Sequence, residues 1–223
     1  MEIAEVVWPR SAEEAEKVQE DLRGLVRAEG DGREPRLVAG LDVAYGDDLI
    51  AAAVTVLDAS SLEVVESSVV VDRPVFPYVP GLFAFRELPA LLDALRALET
   101  VPDLLVCDGH GLAHPRRFGL ACHLGILTGV PSMGVGKTFL VGEHVEPGRE
   151  RGSWTPLVHE GETVGRTVRT QDGIRPVYVS SGHLIDLPAA ARRVLELSPS
   201  YRLPETTRSA DRLSRSALRE ASG

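Results

Sequence analysis

Asp42 and Asp108 are the residues from which chemistry would start. Asp42 stands in the middle or at the end of an apolar strand-like segment in "RLVAGLDVAYGDD" (36–48), and Asp108 closes an apolar run in "DLLVCDGHGLAHPRRFGL" (103–120). A carboxylate on a buried strand is costly unless it is paired or bound to a cation. Taken alone, Asp42 also reads as an acid closing a turn, as Asp47 and Asp48 do. If the two strands lie side by side, however, the carboxylates converge, and they then share a proton or hold a hard cation. Oxygen ligands without cysteine or paired histidine favour Mg²⁺, with Mn²⁺ able to substitute. A Mg²⁺ held by a couple of carboxylates keeps positions for water and a substrate phosphate, the arrangement used in phosphodiester hydrolysis. The glycines that follow Asp108 let a ligand approach the strand edge.

Three further segments carry candidate groups. In "RPVFPYVPGLFAFRE" (73–87), Pro77-Tyr78-Val79-Pro80 sets an aromatic on a stiff hump just before a helix. An exposed rigid aromatic stacks on a base or wedges between base steps, whereas the bland alternative is a ring packed on the core beside Phe76. Glu87, early in that helix, is either a third carboxylate or an acid favoured by the helix dipole. In "SMGVGKTF", Lys137 is one of only two lysines among 24 basic residues. A compact ammonium suits a phosphate or a developing negative charge. A phosphate-binding P-loop would need glycine where Pro131 stands, so no nucleotide cofactor is expected. In "VYVSSGHLIDL", His183 follows a strand and either orients water or a metal ligand, or caps the next helix.

These groups need a scaffold, and the pattern supplies one. Ser11 and Glu14 form a capping box for a helix over 11–29 with an apolar stripe of Val18, Leu22, Leu25 and Val26. "GDGREP" then breaks the chain. Leu37–Val43, Ile50–Leu57 and Val64–Val71 read as an antiparallel meander. A helix starting near 80–82, a buried strand at 104–107, a helix over 115–128 and a short strand at "VPSMGV" follow. Residues 142–176 read as loops with one hairpin, then come the strand "PVYVSSG" and the helix "LPAAARRVLEL". Three antiparallel strands followed by helix–strand–helix–strand predict an α/β fold. Its mixed sheet is ribonuclease-H-like, with parallel additions after the meander and helices on its faces. The 223 residues suit one domain with a core at about 37–197 and a peripheral Arg/Ser-rich tail at 198–223.

Composition is that of a soluble globular chain, 43% hydrophobic and 26% charged. The net charge of −9 argues against a polyanionic partner, although the acid is concentrated in the first half. Cys107 and Cys122 lie among apolar neighbours and read as reduced core residues. Neither a secretory signal nor a membrane span of about 20 apolar residues is evident, so the cytoplasm is the expected location and no membrane partner is expected.

"GLDVAYGDD", "PYVPGLFAFRE", "DGHGLAHPRRFGLACHLG", "MGVGKTFL" and "SSGHLIDL", in this order, resemble the endonuclease V family, also called deoxyinosine 3′ endonuclease or deoxyribonuclease V. The resemblance spans roughly Leu37 to Leu195, and five ordered motifs make it specific. It implies a Mg²⁺-dependent DNA repair endonuclease that recognises deaminated purines, chiefly hypoxanthine. Such an enzyme hydrolyses the second phosphodiester bond 3′ to the lesion and leaves a 3′-hydroxyl and a 5′-phosphate. By the same resemblance Asp42 and Asp108 bind the metal, Glu87 and His183 complete or flank that site, and Lys137 assists at the scissile phosphate. Tyr78, between Pro77, Val79 and Pro80, is the strand-separating wedge. Gly81, Leu82, Gly109, His114 and Gly134 lie near the pocket for the everted base. The expected partner is deoxyinosine-containing DNA, bound by a monomer. An inosine-specific endoribonuclease and a non-catalytic reader of deaminated bases are the alternatives, the reader having no need of Asp42, Glu87 and Asp108 together.

Overall fold

The computed structural model of the chain describes residues 3–30 and 33–222; positions 31 and 32 of the predicted chain break lie outside them. An eight-stranded mixed sheet forms its centre, in the order β3-β2-β1-β4-β5-β8-β7-β6. The strands are β1 (Leu37–Tyr45), β2 (Ile50–Asp58), β3 (Val64–Asp72), β4 (Leu104–Cys107), β5 (Ser132–Gly136), β6 (Trp154–His159), β7 (Glu162–Val168) and β8 (Val177–His183). The meander forms as the short polar turns between its strands predict, with Leu37 opposite Asp58 and Ile50 opposite Asp72. β4 runs parallel to β1, and β5 runs parallel to β4, whereas β8 returns antiparallel to β5. The predicted hairpin is β6–β7. Its two-residue loop, Glu160 and Gly161, has φ of 56° and 80°, as a turn matched to strand twist requires.

Five helices cover the two faces: α1 (Ala12–Arg23), α2 (Ala84–Arg96), α3 (Leu120–Thr128), α4 (Leu187–Glu196) and α5 (Glu205–Ser222). Leu41, Ala52, Val54 and Leu105 meet α2 and α3 on one face. Val38, Val106, Val135 and Val179 meet α4 on the other. α3 is buried almost all round, consistent with its lack of a polar face. Ser11 caps α1 by accepting from the Glu14 N–H at 3.2 Å, and the Glu14 carboxylate accepts from the Arg10 N–H at 2.7 Å. Three predicted boundaries move. α1 ends at Arg23, which leaves Leu25 exposed. α2 starts at Ala84, because Gly81 at φ +78° cannot be helical. α3 starts at Leu120, because 109–119 folds back on itself: the Gly119 N–H donates to Gly111 O (3.0 Å) and the Ala121 N–H to His110 O (3.1 Å).

The expected peripheral tail is instead helix α5, seated on the sheet. A Cβ on Gly40 would stand 2.1 Å from the Thr206 backbone, and the Thr55 hydroxyl donates to Thr206 O at 3.2 Å. Gly40, Ala51 and Ala53 are small, so the helix backbone lies directly against β1 and β2. Cys107 and Cys122 are both buried and free. Among the described residues, no helix is long and apolar enough to cross a membrane.

Candidate active site

Parallel pairing of β1 with β4 brings Asp42 and Asp108 together at one end of the sheet. The Asp108 N–H donates to Leu41 O at 3.0 Å, and the two carboxyl groups are hydrogen-bonded to each other. Burial pushes the Asp42 carboxyl up to about 7, and the hydrogen bond and charge of Asp108 push the same way; Lys137 and Ser214 oppose them. Two acids this close and this dry share a proton unless a cation takes its place. β5 ends at Gly136 and delivers Lys137, whose ammonium forms an ion pair with Asp108. Burial works against that charge, but the Asp108 contact outweighs it and the Lys137 pKa is raised.

Glu87 reaches the same cavity from the first turn of α2. It is buried, and burial holds its carboxyl well above the usual range even though Tyr45 Oη donates to its Oε1 at 2.8 Å; the charges of Asp42 and Asp108 add to the rise. A fourth carboxylate, Asp211, comes from α5, and the cavity is lined by Asp42, Tyr45, Phe83, Glu87, Asp108, Lys137 and Asp211, with Arg215 and Arg219 at its edge. Because the buried face of α5 is made of small and polar residues, nothing in the local sequence signals Asp211. Its Oδ1 accepts from Arg215 Nε at 3.0 Å, and its charge bears on Lys137. Among the described residues no three His, Cys, Asp or Glu are drawn into a closed metal cage. Mg²⁺ does not need one, since one or two carboxylates with waters and phosphates suffice. The all-oxygen set and the proton-sharing pair fit that ion.

His183 does not join the site. It stands opposite Ser132, whereas Gly136, which leads to Lys137, stands opposite Tyr178. The whole of β5 lies between, roughly 13 Å at about 3.3 Å per residue. There His183 Nδ1 accepts from the Arg27 N–H at 3.2 Å, a tie between β8 and the segment after α1.

A second recess opens beside the first and shares Asp108 and Phe83 with it. Its lining includes Tyr78, Pro80, Gly81, Gly109, His110, His114, Phe139 and Leu140. Tyr78 is 68% exposed while Phe76 is buried, so the hump turns its ring outward. Pro77 is exposed and Val79 packs inward beside Phe76. Leu82 is core rather than lining, in one cluster with Phe76 and Phe85. The Gly81 carbonyl anchors the hump, accepting from Gln19 Nε2 (3.1 Å), His114 Nε2 (2.9 Å) and Arg116 Nη2 (3.0 Å). His114 Nδ1 accepts from the Arg116 N–H at 3.2 Å, so both ring nitrogens are engaged and His114 acts as a strut in the recess wall. Burial lowers its pKa to about 4, which keeps it neutral.

The glycines near Asp108 divide by task. Gly109 faces the recess, with nothing nearer than 3.7 Å to the place a Cβ would take. Gly111 serves packing instead, because a Cβ there would meet Ser181 O at 2.0 Å. Gly134 is also buried beneath this turn, where its Cβ would meet Gly109 O at 2.6 Å, and it does not line the recess. Gly136 leaves room for the ring of His110, a lining residue that sequence reasoning passed over.

A mixed sheet with helices on both faces, and carboxylates gathered where β4 ends beside Asp42 of β1, defines a ribonuclease-H-like α/β protein. A profile of the Endonuclease V family matches residues 20–212, and Endonuclease V of Nocardia farcinica is 56% identical over 227 residues, covering 100% of both chains. The chain belongs to the Endonuclease V family of nucleases. The crystal structure of Endonuclease V from Streptomyces avermitilis is similar with a TM-score of 0.94 at 52% identity, covering 97% of this chain and 96% of that one. Ciona intestinalis Endonuclease V, solved with a 23mer DNA containing an inosine followed by a ribo-adenosine, gives 0.83 at 25% identity, covering 94% of this chain and 97% of that one.

Proposed function

We propose that the chain is a Mg²⁺-dependent repair endonuclease that nicks DNA at the second phosphodiester bond 3′ to hypoxanthine, leaving a 3′-hydroxyl and a 5′-phosphate. The observation that carries this reading is the pairing of two cavities that share Asp108, one rich in carboxylates and one floored by Gly81 and Gly109. The Ciona relative bound to inosine-containing DNA supports the substrate class. Asp42 and Asp108 would hold the cation, and Glu87 and Asp211, beside them, would orient water. When bound, the ion supplies Lewis-acid charge at the scissile phosphate and a water of lowered pKa. Lys137, released from Asp108, neutralises charge on the phosphate. Tyr78 fills the gap left by the everted purine, and Gly109 and the neutral His114 bound its recess. Net charge of −9 leaves phosphate contacts to local groups such as Arg215 and Arg219, at the cavity edge.

The test is a nicking assay on matched strands with and without inosine, with and without Mg²⁺. Cleavage that requires both, at the second bond 3′, is the expected result; cleavage indifferent to inosine overturns it. An RNA arm belongs in the same assay, because the nucleotide after inosine in the Ciona complex is a ribonucleotide. Faster cleavage of the RNA strand would move the reading to an inosine endoribonuclease. A non-catalytic reader is disfavoured by four carboxylates around one cavity.

A further inference from the structure

Phe83 and Asp108 are the residues that line both the carboxylate cavity and the recess. Asp108 is a carboxyl group and serves the first. Phe83 is an apolar ring, 36% exposed, on the rim between them. Tyr45 stands on one side of it, ring centroids 5.7 Å apart, and Tyr78 meets it edge-on at 5.9 Å. Tyr45 is itself fixed by its hydrogen bond to Glu87 and by the Arg86 guanidinium 5.3 Å over its ring. Three partly exposed aromatics thus form a ridge running from the carboxylates to the hump.

We infer that this ridge binds one unpaired nucleobase, the base immediately 3′ to the lesion, with Phe83 as its stacking platform. The inference rests on the function proposed above. Cutting at the second bond 3′ leaves one nucleotide between the everted base in the recess and the phosphate at Asp108. That nucleotide must cross the rim, and Phe83 is the apolar surface there. A ring already held by two neighbours loses little freedom on stacking. Every base has a π-face, so the site takes any base and reads its presence rather than its identity. By seating one nucleotide between the cavities, the ridge sets which bond is cut.

The test is a cycle between the protein and the nucleotide. Inosine DNA is prepared with either a normal base or an abasic analogue immediately 3′ to the lesion. Affinity, single-turnover rate and nick position are measured for wild type, Phe83→Leu and Phe83→Ala. Wild type should bind the abasic strand roughly 5- to 150-fold more weakly, the range that base stacking implies. Phe83→Ala should show a similar loss on the normal strand and little further loss on the abasic one, with nicks spread to neighbouring bonds. Phe83→Leu should fall between, and it carries the cycle if Phe83→Ala does not fold. Losses that multiply, or no loss for wild type on the abasic strand, would overturn the inference. Wild type failing to cut inosine DNA at all would instead overturn the proposed function.

Discussion

The Ser214 hydroxyl donates a hydrogen bond to Asp42 Oδ2 at 3.0 Å, joining α5 to β1 across 172 positions of sequence. Through this contact the last helix helps build the site. The same hydroxyl lies 3.1 Å from the Asp211 backbone carbonyl, so its one proton is shared between that oxygen and Asp42, and the turn of α5 that carries Asp211 sets where the hydroxyl stands. Because the bond favours the ionised form of Asp42, it favours the form that takes a cation. Ser214→Ala should raise the Mg²⁺ concentration for half-maximal cleavage about 5-fold, the effect of about 1 kcal/mol. Lesion DNA should bind as before, and Ser214→Thr should restore the wild-type Mg²⁺ dependence. An unchanged Mg²⁺ titration would make the contact structural only.

Removing either strand carboxylate should stop the chemistry and spare binding. Asp42→Ala or Asp108→Ala removes one of the two carboxylates assigned to the cation, and cleavage at millimolar Mg²⁺ should be nearly lost. Affinity for lesion DNA should hold or tighten, because a negative charge has left the phosphate path. Lys137→Ala should slow single-turnover cleavage on the order of 10²-fold with little change in melting temperature. Lys137→Arg should not restore the rate, since a planar fork does not replace a point charge. A variant of Asp42 or Asp108 that still nicks within a few-fold of wild type would sink the assignment.

His123 should set part of the acid limit of folding. It is fully buried on α3 between Phe85 and Phe118, at ring distances of 5.2 and 5.0 Å, and neither ring nitrogen has a hydrogen-bond partner. Burial lowers its pKa from 6.5 to about 3. The unfolded chain therefore takes up a proton below about pH 6.5 that the folded chain refuses, and stability falls from there until about pH 3. His123→Leu removes that proton uptake. The variant should match wild type near pH 7 and gain on the order of 2 kcal/mol at pH 4.5, read by denaturant melts at both values. Parallel pH profiles for the two proteins would rule the mechanism out.

Much of this architecture was legible because it rests on periodicity. Three strand-like segments in 37–71 separated by short polar turns point to the meander, and a meander followed by helix and strand puts Asp42 beside Asp108. α5 was hidden for a physical reason. Its buried face is Thr206, Thr207, Ser209, Ala210 and Ser214, which gives no apolar stripe, and the complementary signal sits far away in Gly40, Ala51 and Ala53. Asp211 was lost with it. His183 misled because "SSGH" repeats the strand–Gly–His order of Cys107 to His110, while strand direction is absent from a local pattern. β8 runs against β5, so its last residue lands at the far end. The motif resemblance places Gly134 and Leu82 near the pocket, but Gly134 packs beneath the Gly109 turn and Leu82 in the core with Phe76 and Phe85.

Tyr78 should recognise damage and take no part in bond cleavage. Its ring is exposed, touches Phe83 edge-on and lies outside the carboxylate cavity. The hump is held by the Gly81 carbonyl and the buried Gln19 of α1, so the ring arrives rigid. Everting a purine unstacks the duplex at a cost of a few kcal/mol, and stacking on an aromatic side chain returns about 1–3 kcal/mol. Tyr78→Ala should therefore weaken affinity for inosine duplex by roughly 5- to 150-fold. The same change should do far less harm in single-stranded DNA, where no duplex has to be parted. Little core is lost with an exposed ring, so the melting temperature should barely move. Equal losses on single- and double-stranded substrates would assign Tyr78 to general DNA contact instead of strand separation.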